Sequence, residues 1–272
     1  MRFGVSDTAV VDVDTTQPGI TFRDADGAAH EVRCDYLVGA DGSRSICRQQ
    51  IPESERRQFR REYPFAWFGI LCEAPKSAPE LIYSHSDRGF ALISQRTESM
   101  QRMYLQCDPE EPIDTWSDDR IWTELQARVG VNGYTLHEGP ITDKSLLRFR
   151  SNVCEPMQYG RLLLVGDAAH TVPPTGAKGL NLALADVRVL AEALECAVSA
   201  GSADPLADYS ERALARVWKA QHFSYWMTTM LHRLPDASDF DVRRQQAELA
   251  SIVASTAAST YLAEGYTGWP TG

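Results

Sequence analysis

An aspartate that ends an apolar run is the first residue of this sequence whose position suggests chemistry. Asp167 follows Gly166 and the apolar residues 162–165, and a turn rich in Pro and Gly then leads to a helix expected to open near Gly176. A carboxylate at the C-terminal end of a buried strand, beside a helix N-terminus, is a common way for α/β folds to hold a polar cofactor. The alternative is a turn or helix cap. Residues 173–179 favour cofactor contact, because their glycines let a flat ring approach the backbone.

The elements around Asp167 are only some of the elements that usually bind a dinucleotide in an α/β fold. The sequence contains no G-x-G-x-x-G turn, which is the motif expected where a βαβ unit holds a pyrophosphate. Short-range patterns at the start predict strands at residues 9–13, 20–22 and 32–38, with a hairpin signal at Asp26-Gly27. We therefore expect that a front portion is missing and that the chain holds half of a cofactor site.

The middle of the chain predicts a separate, mainly β domain. Residues 63–149 contain several strand patterns joined by short loops. One helix interrupts them, with Ser117 as its N-cap and Gly130 at its end. Its apolar residues lie on one face, so we expect it to cover the sheet.

The last part of the chain is expected to be helical. A 4-3-4-3 spacing after the Asp167 region gives one helix an apolar face formed by Leu180, Leu184, Val187, Ala191 and Leu194, and Gly201 is expected to end it. Further helices are expected at 205–234 and 241–262. The aromatic and Met residues of 205–234 are typical of a core, and a subunit interface is the alternative.

Composition excludes several classes of function. The chain has 272 residues, 43% hydrophobic and 24% charged, with a net charge of −10, so nucleic acid is not expected as a partner. One basic stretch, residues 55–61, is either a solvated face or a phosphate-facing patch. No apolar run reaches 18 residues, so we expect no membrane span, and the first residues lack a basic region followed by an apolar core, so we expect no secretory signal. The six cysteines and six histidines show no metal-ligand spacing, so we expect no metal and a cytoplasmic location.

Two motifs and one long string resemble a known family. Residues 35–42 (DYLVGADG) are similar to the DG motif of the flavin-dependent aromatic hydroxylases, the group A monooxygenases, and residues 166–170 (GDAAH) to their GD motif. Residues 172–183 (VPPTGAKGLNLA) extend the match. The resemblance implies an α/β (α+β) fold: an incomplete FAD-binding Rossmann-like domain, an inserted mainly β substrate domain and C-terminal helices. The implied segments are 1–55, 56–149, 150–200 and 201–272, the first and third belonging to the FAD domain and the last a possible dimer interface.

The resemblance also implies roles for individual residues. Implied FAD contacts are Asp41, Gly166, Asp167, Gly179, Leu180, Asn181 and Arg102, and implied NADPH contacts are Arg44 and Arg150. The implied substrate carboxylate site is Arg96 with Ser94 and Tyr104. Tyr83 is implied to bond the substrate phenol, Tyr266 to continue the proton relay, and the Pro174 carbonyl to face the phenol.

The activity implied is hydroxylation of 4-hydroxybenzoate to 3,4-dihydroxybenzoate in the degradation of aromatic compounds. It uses FAD, NADPH and O2 through a C4a-hydroperoxyflavin, and a homodimer is implied as well. Two alternatives stay open. The chain can be a hydroxylase of another phenolic acid, or a non-catalytic fragment that does not retain FAD.

Overall fold

Two units, each assembled from two stretches of sequence, form the protein in the computed structural model, which describes residues 1–131, 133–199 and 204–269. The first unit combines Met1–Arg61 with Arg150–Ser224, and the second combines Glu62–Phe149 with Tyr225–Gly272. The four segments expected from the sequence stay a prediction of domain organisation, because compactness alone does not say which parts fold independently.

The described residues form strands and helices in the following order along the chain. The strands are β1 (Ser6–Val11), β2 (Gly19–Arg23), β3 (Ala29–Arg33), β4 (Leu37–Gly39), β5 (Arg57–Cys72), β6 (Ile82–Ser86), β7 (Gly89–Gln95), β8 (Gln101–Cys107), β9 (Ile141–Glu155), β10 (Gln158–Tyr159), β11 (Leu162–Leu164) and β12 (His170–Thr171). The helices are α1 (Ile46–Gln49), α2 (Asp118–Val129), α3 (Gly179–Ser199), α4 (Asp204–Ala207), α5 (Tyr209–Leu231), α6 (Asp239–Ala254) and α7 (Thr256–Thr267). This mixture confirms the predicted α/β class.

The first unit contains two small sheets. Strands β1, β2 and β3 form an antiparallel sheet, and the predicted hairpin is confirmed: the Asp24 carboxylate accepts hydrogen bonds from the Asp26 and Ala28 N–H groups at 3.0 and 2.9 Å. The second sheet has the order β10-β11-β4, and β11 pairs with β4 in parallel. This parallel pair carries the two motifs at its C-terminal ends.

The single strand expected at 32–38 is wrong. The structure ends β3 at Arg33 and places β4 in the other sheet, because the backbone changes partners between them. The Cys34 N–H donates to Pro18 O at 3.0 Å, whereas the Leu37 N–H donates to Arg161 O at 2.9 Å. An apolar run shows that strands are present but not which strand each one pairs with.

The second unit is built on antiparallel strands in the order β9-β5-β8-β7-β6. Alternate residues of β8 are buried, so one face of this sheet faces a core. Helix α2 covers that face with Ile121, Trp122, Leu125 and Val129. The predicted cap is confirmed, since Ser117 Oγ accepts from the Arg120 N–H at 3.2 Å and Gly130 ends the helix.

Helix α3 buries a different face from the one that the apolar spacing indicates. Leu180, Leu184 and Val187 are 74%, 58% and 49% exposed, and Leu182, Asp186, Leu190 and Ala193 are the buried residues. Four of the five residues of the 4-3-4-3 set are exposed, and Leu194 is partly buried. The inward position of Asp186 explains the rotation, because its carboxylate bonds groups of the preceding loop.

Three other helix predictions are corrected in their bounds. The helix expected near Gly176 begins at Gly179, after a 3-10 turn at Pro174–Gly176, because Ala177 takes a left-handed φ of 51°. The helix expected at 205–234 is divided into α4 and α5. The helix expected at 241–262 is divided by Ser255, whose backbone is extended and whose Oγ caps α7 by accepting from the Ala258 N–H. The end expected at Gly201 lies outside the described residues, and among the described helices none is long and apolar enough to cross a membrane.

Candidate functional site

The predicted cofactor residues of the first unit lie at the C-terminal end of strand β11. Gly166 takes a left-handed φ of 60°, and Asp167 follows it in a short 3-10 turn. A Cβ on Gly166 would lie 3.0 Å from Ala183 Cβ, so glycine suits both the backbone angle and the space. The Asp167 carboxylate is exposed and makes no hydrogen bond or ion pair with any other described residue.

The backbone of this loop is held from helix α3. Asp186 Oδ2 accepts from the Gly166 N–H at 2.9 Å and lies 2.6 Å from His170 Nε2. Both side chains are buried, at 1% and 2% exposure. Sequence reasoning missed this pair. The signal was an aspartate inside a helix that is otherwise apolar on its inner side.

Arg48 holds the same loop from helix α1 and was also missed. Its guanidinium is buried and donates to the carbonyls of Ala168 at 2.6 Å, Asp167 at 3.4 Å and Ser43 at 2.8 Å. Burial lowers the pKa of Arg48. An arginine six residues after the DG motif could have been noticed as unusual in a short helix.

Asp41 of the DG motif caps helix α1. Its carboxylate accepts from Ser45 Oγ at 2.6 Å and from the N–H groups of Ile46 at 2.7 Å and Cys47 at 3.1 Å. Burial opposes ionisation of Asp41, but these hydrogen bonds outweigh it and its pKa is lowered. Asp41 is thus an ionised cap, and its predicted role toward FAD stays a prediction.

The predicted NADPH residues are both exposed arginines of the first unit. Arg150 Nη2 donates to Ser43 Oγ at 2.7 Å, so strand β9 is bonded to the loop that follows the DG motif. Arg44 lies beside Ser43 and is exposed. Their predicted contact with the coenzyme stays a prediction.

The loop between Asp167 and helix α3 is closely packed. A Cβ on Gly176 would lie 2.8 Å from Ser224 Oγ. Lys178 is buried with Nζ 5.2 Å from the Phe223 ring centre, and burial lowers the pKa of its amine. Pro174 forms part of the 3-10 turn in this loop.

The first turn of helix α3 supplies possible donors. Gly179, Leu180 and Asn181 form this turn, and the first N–H groups of a helix have no partner within it. Nothing lies within 4 Å of the position that a Cβ on Gly179 would take. An electron-rich group can therefore approach these N–H groups.

The predicted substrate residues of the second unit lie on the sheet face opposite α2. The strand register pairs Ser94 with Arg102, Leu92 with Tyr104, and Tyr83 with Leu92. Since side chains alternate along a strand, Tyr83, Ser94, Arg102 and Tyr104 share this face. The Tyr104 ring packs on bare backbone, since a Cβ on Gly69 would lie 2.7 Å from it.

The two predicted relay tyrosines are in contact. The hydroxyls of Tyr83 and Tyr266 are 3.3 Å apart, and their rings are nearly perpendicular at 6.2 Å. Burial, and then the hydrogen bond with Tyr266, raises the pKa of Tyr83. Tyr83 therefore stays protonated and able to donate at ordinary pH.

The two predicted arginines of the second unit differ in their surroundings. Arg102 is engaged, since it donates to Tyr104 Oη at 3.2 Å, Ser145 Oγ at 2.8 Å and Asp143 Oδ2 at 3.2 Å. Arg96, just after β7, is exposed and its guanidinium has no partner among the described residues. Arg96 is thus free to bind an anion, and the predicted flavin contact of Arg102 stays a prediction.

A buried histidine that the sequence did not single out anchors the end of helix α5. His232 lies 4.6 Å from the Phe65 ring centre and 4.4 Å from that of Phe90. Its Nε2 accepts from Trp67 Nε1–H at 2.6 Å, and its Nδ1–H donates to Thr228 O at 2.9 Å. Burial lowers the pKa of His232 to about 3, so the imidazole is neutral.

No cluster of His, Cys, Asp or Glu that could hold a metal ion occurs in the part of the chain that the structure describes. The donor set of the first unit fits FAD instead. An exposed carboxylate can accept from ribityl hydroxyls, and N–H groups at a helix start can face the electron-rich edge of a flavin.

Comparison with known proteins gives one family match. A model of the family described as "FAD binding domain" matches residues 5–224. A p-hydroxybenzoate hydroxylase from Acinetobacter baylyi is 46% identical over 254 residues, covering 93% of this chain and 63% of that protein. An FAD-dependent monooxygenase from Penicillium thymicola, penE, is 27% identical, covering 85% of this chain and 54% of that protein. The chain thus spans just under two thirds of the length of the first relative.

Solved structures share the fold at low identity. A p-nitrophenol 4-monooxygenase, PnpA, from Pseudomonas putida superposes with a TM-score of 0.74 at 19% identity, covering 98% of this chain and 67% of that one. Aklavinone-11 hydroxylase in complex with FAD and aklavinone gives 0.70 at 21% identity, covering 85% and 44%. These matches confirm the predicted fold.

Proposed function

The chain belongs to the FAD binding domain family, among the flavin-dependent aromatic hydroxylases, and from that premise we propose that it hydroxylates 4-hydroxybenzoate to 3,4-dihydroxybenzoate with FAD, NADPH and O2. The observation that carries the proposal is the contact between the Tyr83 and Tyr266 hydroxyls. It lies on a sheet face that also bears Ser94 and Tyr104. The 46% identical relative is named for this substrate.

FAD is proposed to bind the first unit through the end of strand β11. Asp167 would accept from the ribityl chain, Gly166 would let the backbone approach, and the first turn of α3 (residues 179–181) would donate toward the flavin ring. When bound, reduced FAD supplies the electrons that activate O2. The exposed guanidinium groups of Arg44 and Arg150 are proposed to bind NADPH phosphates, since Arg offers parallel donors to such groups.

The carboxylate of the substrate is proposed to bind Arg96. A planar guanidinium gives two parallel N–H donors, and the Arg96 guanidinium has no competing partner among the described residues. Ser94 and Tyr104 would add hydroxyl donors from the same sheet. Arg102 already bonds the Tyr104 hydroxyl, which orients it.

The phenol is proposed to lose its proton through Tyr83. A phenolate is a stronger carbon nucleophile at its ortho position than a phenol, so deprotonation prepares the ring for oxygen transfer. Because the pKa of Tyr83 is raised, Tyr83 does not store the charge. In a concerted relay Tyr83 Oη would accept the phenol proton while its own proton moves to Tyr266, and Tyr266 would release its own proton to water, so that both tyrosines stay neutral. Tyr83 then donates a hydrogen bond to the phenolate oxygen. The Pro174 carbonyl is proposed as a second group facing the phenol.

The test uses the purified chain. FAD is titrated and followed by the flavin absorbance, and NADPH oxidation is measured with and without 4-hydroxybenzoate, with product identified by chromatography. Flavin retention with 3,4-dihydroxybenzoate formation supports the proposal. Flavin retention with turnover only on another phenolic acid supports the first alternative, and a chain that stays colourless in excess FAD supports the non-catalytic one.

The homodimer implied by the family is a separate proposal. Sedimentation equilibrium across a range of chain concentrations tests it. A mass that stays at 30.3 kDa throughout would argue against it.

A further inference from the structure

The loop that carries Asp167 has its backbone groups bonded from two sides. On one side the Gly166 N–H donates to Asp186 Oδ2 at 2.9 Å. On the other side the carbonyls of Asp167 and Ala168 accept from Arg48 at 3.4 and 2.6 Å. The exposed carboxylate of Asp167 makes no hydrogen bond or ion pair with any other described residue.

Asp186 is an unusual residue for its place. It is 1% exposed on the inner side of helix α3, where Leu182 and Leu190 are its buried neighbours one turn away. Burying a carboxylate with an imidazole carries a desolvation cost that such a pair seldom recovers as stability. A leucine would serve the helix packing better, so the pair is better explained by the geometry that it imposes.

The geometry that Asp186 and His170 impose is that of the left-handed turn at Gly166. Gly166 has a φ of 60°, a conformation with several nearby alternatives for glycine. The Asp186 carboxyl oxygen at 2.9 Å selects the orientation of its N–H, and His170 at 2.6 Å holds that carboxyl group in place. Ala183 limits movement toward α3, since a Cβ on Gly166 would lie 3.0 Å from its Cβ.

We propose that Asp186 is a positioning residue, which with His170 fixes the turn at Gly166 so that the Asp167 carboxylate is presented to the ribityl chain of FAD. This inference rests on the flavin site proposed above. Asp186 itself touches no cofactor in this scheme and acts through the backbone of the loop.

The first experiment needs no cofactor. Hydrogen–deuterium exchange of residues 166–169 is compared in the full chain, in D186A, which removes the acceptor, and in D186N, which keeps an uncharged one. We expect exchange to be at least about tenfold faster in D186A and about threefold faster in D186N. The control E192Q changes an exposed carboxylate on the same helix, and exchange should be unchanged. If D186A does not fold, D186N decides, and wild-type exchange in D186N overturns the proposal.

The second experiment connects Asp186 to FAD through a double-mutant cycle. FAD dissociation constants are measured by flavin fluorescence for wild type, D167N, D186N and the double variant. Each single change is expected to weaken binding about tenfold, and the double variant to weaken it little further, because positioning has no value once the carboxylate is gone. Independent effects that multiply to about a hundredfold overturn the inference.

The two proposals fail in different ways. If wild type binds no FAD, the flavin site and the cofactor role of Asp186 fall together, and the exchange result alone judges whether Asp186 fixes the loop. If wild type binds FAD and the two substitutions act independently, the flavin site stands and the positioning role is rejected.

Discussion

The neutral state of His232 predicts a loss of stability in mild acid. Its pKa is lowered by burial from 6.5 to about 3, so the folded chain takes up this proton only near pH 3, whereas the unfolded chain takes it up near its ordinary value of about 6.5. Between these values the unfolded state holds more protons. The free energy of unfolding therefore falls as the pH is lowered through this window, and the contribution is fully present above it.

The size of this effect follows from the shift. One pKa unit corresponds to about 1.4 kcal/mol, so the contribution of His232 lost between pH 7.5 and pH 5 is about 2 kcal/mol. A further loss is expected toward pH 4, where the proton must still be excluded from a site between Phe65 and Phe90 that has no water-facing edge.

Urea denaturation at pH 7.5 and pH 5, followed by tryptophan fluorescence, measures it. The variant H232N cannot titrate, so its own loss of stability between the two pH values should be smaller than that of wild type by about 2 kcal/mol. Lost packing lowers the stability of H232N at both pH values and cancels in the difference. The control H222N removes an exposed histidine of helix α5, which ends just before His232, and should keep the wild-type difference. An equal pH dependence in H232N and wild type would refute the reasoning.

Three other predictions concern the candidate site. Gly166→Ala forces a side chain into a left-handed φ of 60° against Ala183, and we expect about 1–2 kcal/mol of lost stability by urea denaturation. Tyr83→Phe removes the phenol's proton acceptor, and we expect a raised pKa of bound 4-hydroxybenzoate by ultraviolet titration and about a hundredfold slower hydroxylation. Arg96→Lys loses the bidentate fork, and we expect about tenfold weaker binding of 4-hydroxybenzoate by fluorescence titration.

Each of these three predictions has a control substitution. Gly27→Ala places a side chain at a φ of 82° in open space, so it shares the backbone strain of Gly166→Ala without the contact. Tyr134→Phe removes a hydroxyl elsewhere in the same unit and should leave the phenol pKa unchanged. Arg148→Lys changes an exposed arginine and should leave substrate binding as in wild type. Equal effects from a control and its partner would contradict the assigned role.

The sequence predicted well those features of the fold that depend on hydrogen bonds between residues close together in the chain. The hairpin after Asp24 and the cap at Ser117 depend on residues within four positions of one another, so their patterns are visible in one dimension. The break at Ser255 has the same kind of signal, a serine able to cap the following turn, and was overlooked inside an apolar run. The division of 32–38 between two sheets could not be predicted, because the partner of β4 lies far along the chain.

The residues of the candidate site also fall into two groups, those identified from the sequence and those that only the structure shows. The cofactor role of Asp167 came from the pattern of strand, turn and helix around it. Its assignment to FAD, like the roles of Arg96 and Tyr83, came from the resemblance, and all of these stay predictions. Spacing alone could not have paired Tyr83 with Tyr266, since 183 residues separate them. Asp186 was missed for a different reason: a polar residue on a helix is usually taken as outward-facing, and the fold shows that this one is buried.

The discontinuous makeup of the first unit has a consequence for how the chain is made. Arg48 and Ala168, which bond in the folded loop, are 120 residues apart, and strand β4 has β11 as its parallel partner. During synthesis strand β4 cannot pair with β11 until residues 62–149, and then β11 itself, have left the ribosome. Closing so long a loop costs entropy that only a completed strand pair offsets. The β4–β11 pair should therefore form late during translation. In a nascent chain stalled before residue 160, we expect a protease to cleave the chain at the DG motif.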